Sequence, residues 1–115
     1  MVDRERFEDL VMEALASLPP WVRERLENIE VIVEDRPPRD DPYLLGRYYG
    51  VPLTRRGEFH SSATLPDTIT LYRRTIEREA RDDDDVRRVV AHTVVHEVAH
   101  FFGISDDRLR ELDAY

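Results

Sequence analysis

The chain has 115 residues, enough for one domain with a single core and little room for more. It contains no cysteine, which excludes disulfides, thiolate metal sites and cysteine nucleophiles and leaves histidine and carboxylate as the strong ligands. A formal net charge of -8, with the basic residues interleaved among acids, argues against a nucleic-acid partner, which would need a basic stripe to release counterions.

The N-terminal MVDRERFEDL is charged from its third residue and has no apolar segment of the secretory type. No later apolar run approaches the ~20 residues that a bilayer requires, so the expectation is a soluble, cytoplasmic protein without a membrane partner. All 17 basic residues are arginine, glutamine is absent, and Asn28 is the one asparagine. This bias fits a heat-tolerant host and equally fits skewed codon usage; neither bears on function.

From Asp3 to Leu18, the apolar residues Phe7, Leu10, Val11, Ala14, Leu15 and Leu18 follow the spacing of a one-sided helix, with Asp3 placed to cap it. Pro19 and Pro20 end that helix and suit the first turn of another carrying Trp21, Val22 and Leu26. Ile29 to Asp35, IEVIVED, is rich in β-branched residues and reads as a strand. The turn-rich segment that follows is long for so small a domain, which points to a functional loop or a concealed strand. We place a short strand near Gly46 to Tyr49.

Thr68 to Tyr72, TITLY, is a second clear strand, after which TIEREA is helical and RDDDD offers N-caps for the next helix. From about Asp84 to Phe102 the chain is apolar on most sides after its first turn, as in a helix buried on nearly all faces. Gly103 stops it, and SDDRLRELDAY forms a short last helix. Repeats, low-complexity tracts and interdomain linkers are absent from the sequence, so residues 1–115 are read as one domain.

The long helix carries HTVVHEVAHFFGISDD. Within it, His96, Glu97 and His100 form HExxH, which sets two imidazoles one above the other on one helical face, within reach of one ion. A buried helix carries such groups inward only with compensation. Two histidines plus an oxygen ligand and an open position describe a catalytic zinc site, with Glu97 beside the ion as general base and proton shuttle. The alternative is a core helix with two satisfied histidines. His92 completes an even ladder but stands about 12 Å along the helix from His100, too far for both to bind one ion.

Gly103 can adopt the left-handed conformation that turns a chain back at a helix end, so a residue shortly after it can return to the metal. Asp106 stands where metzincins place a third histidine. Asp107 is the alternate, and Asp106 or Ser105 could simply cap the last helix.

With these residues in place, the chain resembles the small bacterial zincin-like metallopeptidases, a minimal matrix-metalloprotease-like domain. The resemblance runs from about Pro19 to the C-terminus through LLGRYYGVPLTRRG, LPDTITLYRRTIE and TVVHEVAHFFGISDDRL. It implies an α+β zincin or metzincin-like fold, with a small mixed sheet packed on a buried active-site helix. It further implies one zinc ion held by His96, His100 and Asp106, Glu97 as catalytic acid/base, and a substrate cleft beside TITLY. The Met-turn methionine of larger metzincins has no counterpart, since the methionines are Met1 and Met12; the final helix and Tyr115 are the expected floor.

The leading reading is zinc-dependent peptide hydrolysis by a monomer acting on a peptide or protein substrate, with TITLY pairing the substrate by strand addition. Tyr43, Tyr48, Tyr49, Tyr72 and Tyr115 are unranked candidates for oxyanion stabilisation. The second reading is a zinc-stabilised peptide-binding module without catalysis, whose closed site would recruit His60 or His92 as a fourth ligand. A third is that the acidic loops dock a basic partner, although runs such as Asp82 to Asp85 are ordinarily caps and solvated faces.

Overall fold

Asp3 caps the first helix, α1 (Arg4–Ala16), by accepting the Arg6 N–H at 2.8 Å, which satisfies one of the amides that a helix start leaves open. The computed structural model that provides these coordinates describes residues 2–55 and 66–111. The apolar stripe of α1 faces inward as its spacing predicts: Phe7, Leu10 and Val11 are buried, and Ala14 and Leu15 pack against the same core. Pro20 then begins α2 (Pro20–Arg25), which turns Val22 inward and leaves Trp21 outside, its ring edge-on to Phe102 at 5.7 Å.

Three strands follow in sequence: β1 (Glu30–Glu34), β2 (Gly46–Tyr49) and β3 (Thr68–Tyr72). In space their order is β1-β3-β2, with β1 parallel to β3 from Glu30↔Thr68 to Glu34↔Tyr72, and β2 antiparallel to β3 from Gly46↔Leu71 to Tyr49↔Thr68. The central position of β3 explains why Ile69 and Leu71 are almost wholly buried. It also corrects the expectation that TITLY pairs with substrate. A strand has two hydrogen-bonding edges, and β1 and β2 occupy both of those on β3. The edge strands are β1 and β2, and of the two it is β2 that borders the cleft holding His96 and His100.

After β3 come α3 (Arg73–Glu79) and a turn leading to the long helix α4 (Val86–Phe101). The aspartates before α4 do not cap it as expected. Asp85 stands at the N-cap position but makes no side-chain capping bond. Its carboxylate instead accepts the Arg81 N–H at 2.9 Å and the Arg88 guanidinium at 2.7 and 2.9 Å, while Asp82 accepts the Asp85 N–H at 2.9 Å. With arginine partners at hand, the acids tie down the turn and the first coil of α4. The hydrogen bonds from Arg88 and Arg81 hold the Asp85 carboxyl far below the usual carboxylate range.

Helix α4 buries Val86, Val89, Val90, Thr93, Val94, Glu97, Val98 and Phe101. It is less enclosed than its composition predicts, because Arg88, His92 and Val95 lie exposed along one stripe. The described elements leave that stripe uncovered. Beyond Gly103 the short helix α5 (Asp106–Glu111) buries Leu109. The architecture is α+β, with a mixed three-stranded sheet, and α4 packs against β2 and β3 on one side and α1 on another. No described helix is long and apolar enough to cross a membrane.

Candidate metal centre

A spacing of four residues, slightly more than one helical turn, sets His96 and His100 on the same face of α4, with ring centroids 4.6 Å apart and planes nearly perpendicular. The chain then reverses through Gly103, whose φ of +85° is the left-handed conformation that glycine adopts without strain. The Gly103 N–H donates to His100 O and the Ile104 N–H to Ala99 O, each at 2.9 Å. These are the paired bonds of a Schellman turn.

The two acceptors proposed as caps for α5 divide their roles. Ser105 Oγ accepts the Arg108 N–H at 3.1 Å and so caps the helix. Asp106, the first residue of α5, points the other way: its Oδ1 lies 2.8 Å from His96 Nε2 and 2.6 Å from His100 Nε2. Burial raises the Asp106 pKa, but the hydrogen bonds to His100 and His96 together outweigh it and leave the carboxyl below its ordinary value.

His100 meets a second carboxylate on its other side. Glu97 is 5% exposed, and its Oε1 lies 3.1 Å from His100 Nδ1. The two carboxylates therefore address opposite edges of one imidazole. His96, Glu97 and His100 also offer ligand atoms that all lie within 4.8 Å of one another. Of the two acids, Asp106 is the one that touches both Nε2 atoms, so an ion between those nitrogens meets Asp106 first. Two imidazole nitrogens and a carboxylate oxygen suit zinc, whose ligands stand roughly 3.3 Å apart for bonds near 2.1 Å. The observed contacts, 2.8 and 2.6 Å, are shorter than that, as fits direct hydrogen bonds between these side chains.

The remaining candidates among the described residues lie outside this cluster. His92 is exposed one turn earlier on α4, its ring 6.3 Å from that of His96. Asp107 is turned to solvent and pairs with Arg110 at 3.3 Å. Tyr48 donates to the buried Asp67 at 2.6 Å, and Tyr49 is exposed beside the Arg47 guanidinium. Tyr72 is buried, which raises its phenol pKa. Tyr43 is exposed at the rim of the cleft. His60 and Tyr115 lie outside the described residues.

A cleft of about 680 Å³ opens in front of the cluster, with Leu44, Leu45 and Gly46 on one wall and Val89 and Thr93 on the other. Sequence reasoning does not single out Gly46. A glycine within a strand pattern, which marks a close approach of backbone to a neighbour, is the available signal.

The family model for zincin-like metallopeptidases matches residues 26–115. The chain belongs to that family. The matched span contains His96, Glu97, His100 and Asp106, and membership in a zincin-like family implies a metal ion, typically zinc, and peptidase-like chemistry. A conserved hypothetical protein of known structure from T. thermophilus is similar over 96% of this chain and 97% of its own, with 24% identity and a TM-score of 0.58. At that identity the likeness concerns the fold alone. No curated protein matches the chain.

Proposed function

We propose that this protein is a zinc-dependent peptidase in which His96, His100 and Asp106 hold one ion and Glu97 is the catalytic acid/base. The observation that carries the reading is the convergence of His96 Nε2 and His100 Nε2 on one oxygen of Asp106, with the buried Glu97 alongside in an open cleft. Zinc, when bound, supplies an acidified water and polarises a carbonyl.

The chain's own residues supply the rest. Glu97 stands beside His100 rather than between the two Nε2 atoms, so its carboxylate remains available to accept a proton and return it to a leaving amine. His100, contacted at both nitrogens, is held in one orientation. An extended peptide can add to the outer edge of β2, which borders the cleft, with main-chain hydrogen bonds setting its direction. In this proposal β2 takes the role that the sequence suggests for TITLY.

The deciding experiment is a peptide-library cleavage assay on wild type and Glu97→Gln, with metal content measured in parallel. Cleavage by wild type alone, with about one equivalent of zinc in both proteins, supports the proposal. Equal turnover by both removes Glu97 from the mechanism. Metal binding without cleavage by either would instead identify a peptide-binding module.

A further inference from the structure

The sheet comes close to Glu97 at Gly46. Gly46, the first residue of β2, is buried against α4. A Cβ added there would stand 2.8 Å from Thr93 Cγ2, 3.0 Å from Thr70 O and 3.3 Å from Glu97 Cγ. The first distance is one that real Cβ atoms essentially never show, and Thr70 O is a backbone atom of the central strand that cannot swing aside. Thr93 is fixed as well, because its Oγ1 donates to Val89 O at 2.7 Å on the same helix. Any side chain at position 46 must therefore lift β2 away from α4 or push the stem of Glu97.

From this contact we propose that Gly46 is a positioning residue. Its missing side chain lets β2 settle onto α4 and clamp the Glu97 stem, which holds the Glu97 carboxylate against His100. The inference rests on the peptidase reading for its catalytic consequence but not for its geometry. Gly46 itself touches no reacting atom. It sets two things at once, the direction of the Glu97 carboxylate and the height of the β2 edge above it. Both matter because displacements of about 1 Å can cost on the order of 100-fold in rate.

The test compares wild type, Gly46→Ala, and Gly46→Ala combined with Thr93→Ser. The serine removes Cγ2, the atom closest to the added Cβ, and keeps the hydroxyl that bonds Val89. The first readout is the imidazole ¹⁵N–¹H signal of His100 in protein as purified, which reports its hydrogen bond to Glu97 and requires no substrate. Gly46→Ala is expected to shift or abolish that signal and Thr93→Ser to restore it only in part, since the added Cβ still stands 3.3 Å from Glu97 Cγ. On any peptide the wild type cleaves, Gly46→Ala is expected to lower kcat by about 10- to 100-fold with KM changed much less and zinc content unchanged, and the double variant to recover part of the loss.

A Gly46→Ala protein that melts earlier yet keeps the His100 signal and kcat would overturn the proposal, since glycine would then serve packing alone. If the wild type cleaves nothing while the His100 signal responds as expected, the positioning role stands and the peptidase reading fails. Should Gly46→Ala not fold, the comparison moves to Thr93→Ser with and without Gly46→Ala. The added Cβ still presses on Glu97 Cγ in that background, and an unchanged His100 signal overturns the proposal.

Discussion

Ser105 and Asp106 are neighbours with opposite assignments: Ser105 Oγ takes the Arg108 N–H at 3.1 Å, and Asp106 Oδ1 is left within 2.8 Å of both His96 and His100. The two should separate cleanly by mutation. Ser105→Ala is expected to cost about 1 kcal/mol of stability, the usual worth of an N-cap, with zinc affinity nearly kept. Asp106→Ala is expected to weaken zinc by more than about 100-fold, since even outer partners of ligands are worth 10- to 100-fold. Urea unfolding and zinc competition titrations measure both, and the reverse ranking would remove Asp106 from the ligand set.

His92→Ala should leave zinc stoichiometry and affinity unchanged. Its ring is exposed and lies a full turn from that of His96. A loss of metal in this variant, measured by the same competition titration, would show that the ladder of histidines acts as a unit after all.

Gly103→Ala meets two obstacles. The backbone φ of +85° disfavours any side chain, and the new Cβ would collide with Thr54 Oγ1 in the short 3₁₀ turn Leu53–Arg55. A loss of about 1–3 kcal/mol is expected from the strained backbone alone. Adding Thr54→Ala should recover only part of the loss, because the φ penalty persists. Denaturant midpoints of the single and double variants decide; full recovery would mean that crowding, not backbone conformation, makes glycine necessary.

Much of this site can be read directly from the chain because its determinants are local. The four-residue spacing of His96 and His100 follows from helix geometry, and the turn at Gly103 from the one residue type that adopts φ +85° freely. The bounds of β2 and β3 likewise follow from local patterning. Strand order does not. That β3 is central and β1 and β2 the edges depends on pairings between residues far apart in sequence, such as Glu30 with Thr68, and no alternation within TITLY encodes them. The part played by Asp85 is hidden for a different reason, since its partners are near in sequence. Aspartate before a helix is ordinarily a cap, and only the positions of Arg81 and Arg88 in three dimensions show that it binds guanidinium groups instead.

The Asp85 cluster predicts a pH dependence of stability. Its folded pKa is lowered by hydrogen bonds from Arg88 and Arg81, against an ordinary value of 3.8. A carboxylate depressed in this way binds fewer protons folded than unfolded below that value, so its contribution is complete at neutral pH and fades as pH falls below about 4. Asp85→Asn should therefore be less stable than wild type at pH 7, and the gap should narrow as pH falls toward 2. Urea titrations at several pH values test this, and a gap that stayed constant or widened toward acid would mean that Asp85 acts through shape rather than charge.

Thr68 is the residue where the two halves of the sheet meet, pairing with Tyr49 on one side and Glu30 on the other. The chain between Thr68 and Glu30 is twice as long as that between Thr68 and Tyr49, and each doubling of a loop adds about 0.6 kcal/mol to the entropy of closing it. The antiparallel half is thus the less costly to close from the unfolded chain. During folding, the pairing that frames the cleft therefore has a small entropic advantage over the pairing of β1 with β3.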